Sequence, residues 1–574
     1  MRLRILQRII FGGLILLWIG LFVAQVLQGR QYREQSEKNR TRLIHLPAAR
    51  GTILDRNGVP LAEDRITFEL AALPQELTDP EQVWAALSPI VGISSEELAK
   101  RYRKGFQAKF SPVTLMRDLP RDLAFRLEEE RERLPGVLVR PVPERNYPLG
   151  PAVGAAVGYL GLIAPEELTK LKSYGYTFRD RMGKDGLEQQ YDSLLRGRDG
   201  GLHVEVNAQG RLVQQLGFLP PQRGRRIRVS LDAHLQEIAY QLLQGSRGAV
   251  MVMEVRTGEI LCLVSSPSFD PNAFMDSNRQ SEIRSLLRNL DRPMFNRAIR
   301  AMVPPGSIFK AATAYQALKT GKISPATTFE CRGEFHLGRA VFKCWDAEGH
   351  GPQTVVQGLQ HSCNVFFYNT GRRLGVTGIG EAARLFGLGR SSGIDLPREA
   401  KGLVPDPEWM RKSAHHDWQE GDTISFGIGQ SALQTTPLQM MRLFGAIATE
   451  GTLAQPHLLI DVEGEATPRR QGQAPQLELN KAALATVKEG LEQVVNSDTG
   501  TGRLARMPNV RVAGKTGTAQ VPNGAPHAWF CGYAPAESPR LSFVVFLEHG
   551  GKGGLYAGRI AGGLLAHLKE MGYL

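Results

Sequence analysis

The chain of 574 residues has only five cysteines, Cys262, Cys331, Cys344, Cys363 and Cys531. An odd count excludes a complete disulfide framework, so at least one cysteine needs another explanation. There is no internal repeat, which sets repeat architectures aside. The formal net charge is +13, yet there is no Lys/Arg block beyond the flank of the first apolar segment. Scattered surface arginine, anionic lipid or an acidic polymer accounts for such a balance, and nucleic acid is not expected as a partner. Nor is the composition that of a disordered chain: 42% is hydrophobic and 22% charged. The length exceeds one ordinary domain and predicts two or three folded units.

One long hydrophobic run is present. Ile9 to Ala24 is unbroken, and with Gln25 tolerated it reaches Leu27. That is about the length needed to cross a hydrocarbon core as a helix. Arg2, Arg4 and Arg8 precede it. It lacks the polar periodicity of a buried core helix and lacks a small-x-small cleavage site. The expectation is therefore a short cytoplasmic tail, 1–8, and a retained anchor, 9–28. Arg30, Arg33, Lys38, Arg40 and Arg42 follow, so local charge selects no orientation. A short tail before a long exported remainder is the simple topology, with the bulk of the chain outside the cytoplasm.

Residues 30–45 are charged, and a helix is expected there. In Arg50 to Leu61, Asn57-Gly58 lies between apolar runs and predicts a hairpin turn. Leucine and alanine recur at helical spacing over 95–135, and Leu123 to Leu134 reads as a solvated helix. A short helix is expected over Leu187 to Leu195. Leu219-Pro220-Pro221-Gln222-Arg223-Gly224 punctuates the chain and divides it into 29–225 and 226–574. Beyond it, Ala249–Val255 and Glu259–Ser265 read as a hairpin, Ala528–Tyr533 and Leu541–Glu548 as strands, and 557–571 as a closing helix. Strands at both ends with helices between predict an α+β fold, one antiparallel sheet covered by helices.

Three short segments carry chemistry. In Pro304-Pro305-Gly306-Ser307-Ile308-Phe309-Lys310, turn residues precede an apolar helix over Phe309–Leu318. Residues three apart share a helix face, so Ser307 and Lys310 are expected to meet. A serine needs an adjacent base to become a nucleophile, and a partly buried lysine can lose its proton and serve as one. The helix start also offers N–H groups to an oxyanion. Taken alone, the pair reads equally as a serine cap with an incidental lysine. In His361-Ser362-Cys363-Asn364, Ser362 offers a proton-relay hydroxyl and Asn364 an amide for a peptide carbonyl. Val512 to Ala519 contains Lys515-Thr516-Gly517-Thr518 and reads as a strand. Lys515 supplies positive charge, Thr516 or Thr518 can bind a carboxylate, and Gly514 and Gly517 would let a substrate backbone approach.

In this order, the Ser307-x-x-Lys310, Ser362-x-Asn364 and Lys515-Thr516-Gly517 segments resemble the signature of penicillin-binding proteins and serine β-lactamases. The Arg50–Asn57 segment, Gly186-Leu187-Glu188 to Tyr191, and Ser425-Phe426-Gly427-Ile428-Gly429-Gln430 are similar to class B transpeptidases. The short tail after His527-Ala528-Trp529-Phe530 looks most like the elongation-type branch. One departure is Cys363, where β-lactamases have aspartate. The resemblance implies a transmembrane anchor, an elongated pedestal domain over 29–225 and a transpeptidase domain over 226–574. It implies a D,D-transpeptidase of the bacterial inner membrane that serves cell elongation and rod shape and is a target of β-lactams. Its catalytic set would be Ser307, Lys310, Ser362, Asn364, Lys515, Thr516, Gly517 and Thr518. Asn364, Lys515, Thr516 and Thr518 would bind the peptidoglycan stem peptide, and the N–H groups of Ser307 and Thr518 would form the oxyanion hole. The usual partners would be membrane lipid and a glycan polymerase of the SEDS class.

Rival readings are a D,D-carboxypeptidase, a β-lactamase or a non-enzymatic β-lactam sensor on the same fold. A β-lactamase needs a carboxylate to activate water, and none is assignable. A bifunctional polymerase lacks its carboxylate motif within 30–225. A sensor would tolerate loss of Ser307 or Lys310, and both are present.

Cys331, Cys344, His350 and Cys363 are spaced at intervals of 13, 6 and 13. Three thiolates and an imidazole form a common closed zinc set, although these intervals are not those of a zinc finger. The positions resemble a metal site of some elongation-type relatives. A structural zinc is expected, with His336 and Asp346 as substitute ligands. If the loop is locally extended, Ser362 and Asn364 face the cleft and Cys363 faces away. Cys262 and Cys531 read as core.

Overall fold

The computed structural model describes residues 2–30, 32, 41–106, 112–171, 176, 180–207, 212–276, 279–465 and 474–574. The helix Arg2–Phe22 continues as a π-helical segment, Val23–Leu27. The most apolar 18-residue window of Arg4–Leu27 has a mean hydropathy of 2.4, and none of that window is buried. It is long and apolar enough to cross a membrane. Arg33, Lys38 and Arg40 lie outside the described residues. The helix expected over 30–45 is corrected at its end, where Thr41–Leu46 is a strand antiparallel to Gly200–Val206, with Thr41 opposite Glu205. A pairing partner some 160 residues away overrides the local charge pattern there, as tertiary context does for β-propensity.

The chain forms two compact units. The first comprises Met1–Gly51, Asp64–Arg145 and Arg196–Gly224. Its core gathers Leu70, Trp84, Leu87, Leu98, Leu115, Leu119 and Leu127. Asp79 and Ser94 cap the helices Pro80–Val91 and Ser95–Gly105 through their side chains. The helix expected over Leu123–Leu134 runs over Arg121–Glu129, with a separate 3-10 turn at Arg131–Arg133.

The second unit comprises Thr52–Glu63, Asn146–Leu195 and Arg225–Leu574. Where the expectation is one continuous segment, 29–225, followed by another, 226–574, residues 52–63 and 146–195 pack with the C-terminal residues. Five strands, β1 (Gly248–Glu254), β2 (Ile260–Ser266), β3 (Ala513–Ala519), β4 (His527–Ala534) and β5 (Leu541–Leu547), make an antiparallel sheet in the order β2-β1-β5-β4-β3. The main helices are α1 (Lys310–Lys319), α2 (Val355–Gln360), α3 (Asn364–Leu385), α4 (Pro437–Ala448), α5 (Lys481–Asn496) and α6 (Tyr556–Glu570). Alternation along β1 sends Val250 and Val252 towards Ala561, Leu564 and Leu568 of α6, and Met251 and Met253 into the core that holds Leu443 and Phe444 of α4. Every residue of α4 is buried, and its two polar residues are matched there: Gln439 Nε2 donates to Arg390 O and Lys401 O, and Arg442 Nε to Ala454 O. Both sheet faces are thus covered, and Cys262 and Cys531 are buried as expected.

The Asn57-Gly58 turn explains why 52–63 belongs here. Asp55 is fully buried and accepts from the N–H groups of Asn57 (2.7 Å), Val59 (2.7 Å) and Ala233 (3.0 Å). Asn57 Nδ2 donates to Asp232 Oδ2 at 3.1 Å, and Tyr573 Oη, next to the last residue, donates to the same oxygen at 2.7 Å. One buried carboxylate therefore closes the turn and serves a helix start 178 residues away. Asp55→Ala orphans these donors and should lower the unfolding free energy by about 2–4 kcal/mol, read as an earlier unfolding midpoint in urea. A midpoint equal to that of the parent would contradict this account.

Candidate active site

Ser307 lies in the 3-10 turn Gly306–Phe309 and is half-buried. Gly306 has φ 58°, and a Cβ there would stand 3.2 Å from both Ala519 Cα and Thr518 O. Only glycine is at ease with that conformation and that approach to β3. From behind, Gly429 lies so close that a Cβ would meet Gly306 O at 2.2 Å, while Gly306 N–H donates to Gly429 O at 2.8 Å. Trp529 Nε1 of β4 donates to Pro304 O at 3.1 Å. The serine turn is thereby clamped between β3–β4 and the Ser425–Gln430 segment.

Lys310 opens α1 and is fully buried. Its Nζ donates to Ser362 O at 2.8 Å and Asn364 Oδ1 at 2.7 Å, and it lies 3.5 Å from Ser362 Oγ. Those bonds run to the second motif, whereas helix spacing predicts a meeting with Ser307. Burial pulls its pKa down to about 8, against an opposing pull from Cys363, Cys344 and Cys331.

β3 is an edge of the sheet. Lys515 is fully buried and donates to Thr516 O at 3.1 Å. Burial, and then Lys310, holds its pKa well below the usual lysine range. Thr516 Oγ1 donates to Thr501 Oγ1 at 2.9 Å, and Thr518 is exposed, its Oγ1 accepting from Gly553 N–H at 3.1 Å. The glycines have a packing role that the sequence reading did not include. A Cβ on Gly517 would stand 3.1 Å from Ile308 Cγ2, Pro305 O and Trp529 Cβ, and one on Gly514 2.9 Å from the Phe530 ring. They admit the serine turn and the neighbouring strand, so protein packing already demands them.

Ser362 has φ 54°, so the second motif is not locally extended as expected. The left-handed residue still separates the side chains: Ser362 and Asn364 meet Lys310, while Cys363 is fully buried at the start of α3. Behind it, one ligand atom each of Cys331, Cys344, His350 and Cys363 lies within 4.8 Å of the others. His350 Nδ1 is 3.5 Å from Cys331 Sγ and 3.6 Å from Cys344 Sγ. The Cys363 thiol, with His350 behind it, draws Cys344 towards thiolate, while Cys344 and burial push Cys363 up. His336 is exposed against Glu334, and Asp346 caps Glu348 N–H. Neither substitute ligand enters the cluster.

Sequence reasoning missed the ties from the 331–353 segment to this loop. Lys343 O accepts from Asn364 Nδ2 at 3.3 Å and Tyr368 Oη at 3.0 Å, and Trp345 Nε1 donates to His361 O at 2.9 Å. It also missed Thr501, where the Gly500-Thr501-Gly502 run was the available signal.

A serine turn, a buried lysine, a Ser-x-Asn loop and a Lys-Thr-Gly edge strand on an antiparallel sheet define the penicillin-recognising serine transferase class. The sequence profile of the penicillin binding protein transpeptidase domain matches residues 248–566, and that of the penicillin-binding protein dimerisation domain matches residues 45–229. The chain is 35% identical to peptidoglycan D,D-transpeptidase MrdA of Acinetobacter baumannii, over 92% of this chain and 82% of that one. The penicillin-binding protein PBP2 of Helicobacter pylori, solved in complex with MreC, superposes with a TM-score of 0.81 at 29% identity, covering 93% of this chain and 99% of that one. A chain of a solved peptidoglycan synthase complex, described as coordinating polymerisation and crosslinking, gives a TM-score of 0.75 at 30% identity and covers 98% of each. The chain belongs to the class B penicillin-binding proteins, in the elongation-type PBP2/MrdA branch.

An amine can take a proton only when neutral, so if Lys310 is the base, covalent labelling by a penicillin should rise about tenfold per pH unit while the amine is mostly protonated and level off above about 8. A labelling rate that is flat from about pH 6 to 9 contradicts a base with this titration.

Proposed function

We propose that the chain is a peptidoglycan D,D-transpeptidase of cell elongation, which cross-links stem peptides through an acyl-Ser307 intermediate. The observation that carries this is the meeting of all three motifs. Lys310, on the serine's own turn, bonds Ser362 and Asn364, and that turn abuts Thr518 and Ala519. Neutral Lys310 takes the Ser307 proton, and Ser307 Oγ attacks the carbonyl of the penultimate D-alanine. The N–H groups of Ser307 and Thr518 hold the oxyanion. Lys515, Thr516 and Thr518 hold the terminal carboxylate. Asn364 Nδ2 exchanges its long 3.3 Å bond to Lys343 O for the donor's amide carbonyl. The C–N bond breaks, and Ser362 relays a proton from Lys310 to the departing D-alanine nitrogen. An acceptor amine then attacks the acyl ester and returns Ser307 Oγ as the hydroxyl.

The reading includes a single-pass anchor in the bacterial inner membrane, with the catalytic unit outside the cytoplasm and a SEDS-class glycan polymerase as partner. It is supported by the Arg4–Leu27 helix and by similarity to a chain of a peptidoglycan synthase complex. Reconstitution with such a polymerase and lipid-linked substrate tests it. Wild type should give cross-linked glycan with release of D-alanine, and Ser307→Ala should give uncross-linked glycan and no penicillin adduct. Lys310→Ala should slow acylation about 10²–10⁴-fold. D-alanine release without cross-links would make the enzyme a carboxypeptidase, and labelling that persists in Ser307→Ala would overturn the nucleophile.

The Cys/His cluster fits a structural zinc. Bonds of about 2.3 Å to sulfur and about 2.0–2.1 Å to nitrogen give tetrahedral S···N edges of about 3.6 Å. The two observed S···N distances are 3.5 and 3.6 Å. Cys331, Cys344, Cys363 and His350 Nδ1 would hold the ion, which would fix the loop and take no part in the acyl transfer. Protein purified without added metal should contain about one zinc per chain, and chelation should lower its melting temperature and its acylation rate together. Metal-free protein, or a disulfide between two of these cysteines, contradicts the assignment.

A further inference from the structure

Thr501 links two parts of the site that sit on different elements. It lies in the loop after α5, where Gly500 N–H donates to Ser497 O at 3.2 Å and Gly502 N–H to Val494 O at 2.8 Å. On one side its N–H and Oγ1 reach Gln360 O at 3.4 and 3.5 Å. Gln360 ends α2, two residues before Ser362. On the other side Thr501 Oγ1 accepts from Thr516 Oγ1 at 2.9 Å. The loop has other fastenings to α2. Gln360 Nε2 donates to Ser497 Oγ at 2.9 Å and Thr499 Oγ1 at 2.6 Å, and the His361 ring is 3.2 Å from Thr499 Oγ1. The Thr501 hydroxyl is therefore not needed to hold the loop down, and its short bond is the one to Thr516.

The direction of that bond matters. A hydroxyl donates one proton and accepts through its lone pairs. Gln360 O only accepts, so donation at rest runs from Thr516 to Thr501 and on to Gln360 O. A substrate carboxylate also only accepts. When it lies against Thr516, the Thr516 proton turns to the anion, and the vacated lone pair accepts the Thr501 proton. Thr501 thereby gives up a 3.5 Å contact for one of 2.9 Å. Chained hydroxyls polarise one another, so Thr516 becomes a stronger donor to the anion.

We propose that Thr501 is a positioning residue that turns the Thr516 hydroxyl towards the carboxylate of the acyl donor. The inference rests on the reading that Thr516 holds that carboxylate. Selectivity for donors with a free carboxylate is then partly a property of the 497–502 loop.

The full-length chain in detergent, with a penicillin labelled on its side chain and with the methyl ester of the same penicillin, tests this. Thr501→Val removes the hydroxyl and keeps the shape. Its second-order acylation rate should fall about fivefold with the acid and change by less than about twofold with the ester, the effect of one hydrogen bond to a donor of an anion. Thr501→Ser keeps the hydroxyl and should keep the wild-type acid-to-ester ratio. Equal losses with both probes, no loss with either, or a lowered ratio in Thr501→Ser would overturn the proposal. Should Thr501→Val fold poorly, the serine variant alone decides. Wild-type protein that reacts equally with acid and ester overturns the carboxylate reading of Thr516, and this inference with it.

Discussion

The site is organised around one buried ammonium group. Lys310 lies at the start of α1, wholly out of solvent, and a charge there is costly unless its donors are matched. They are matched by Ser362 O and Asn364 Oδ1, groups of the second motif some fifty residues on. The same contacts explain why Ser362 occupies a left-handed conformation that serine seldom adopts, because that turn presents its carbonyl and the Asn364 amide to one amine. Burial, opposed by the pull of Cys363, Cys344 and Cys331, leaves the pKa at about 8, close to the pH at which a base must gain and lose a proton.

What holds Ser362 in place lies outside the motif. Cys363 N–H donates to Gly358 O at 2.9 Å, and Trp345 Nε1 donates to His361 O at 2.9 Å. Tyr368 and Asn364 both donate to Lys343 O, one residue before Cys344. The segment carrying three of the four cluster residues thus touches the loop on both sides of its serine. A rearrangement of the cluster is therefore felt at Lys310 through two or three hydrogen bonds. The proposed metal site and Lys310 are thus coupled through geometry, and also through the pull of Cys363, Cys344 and Cys331 on the amine.

Much of this was legible in the sequence because the responsible signals are local. Proline and glycine before Ser307, the apolar run after it, and the short apolar runs of β1 and β5 each carry their structure in a few neighbouring residues. The Cys331, Cys344, His350 and Cys363 set was likewise readable from residue type. The missing parts depend on pairing across long separations. The strand at Thr41–Leu46 needs a partner near residue 203, and the placement of 52–63 in the catalytic unit needs Asp55 to reach Ala233. Lys343 was invisible because a backbone carbonyl has no residue signature, and for Thr501 the flanking glycines mark a turn without telling which strand its hydroxyl meets. At Gly514 and Gly517 the packing of Phe530, Ile308 and Trp529 already requires glycine, a constraint that the sequence does not display.

Two buried lysines in one cleft impose a further constraint. Burial first, and then Lys310, lowers the pKa of Lys515, so full charge on both is disfavoured. On the proposed reading, a donor carboxylate at Thr516 favours the charged form of Lys515. A charged Lys515 in turn disfavours a charged Lys310. The anion's own negative charge opposes that repulsion, so Lys310 faces an ion pair in place of a lone ammonium. A donor without a carboxylate forms no such pair with Lys515 and lacks its hydrogen bonds, so recognition of the anion draws on the charge that burial and Lys310 make costly on Lys515.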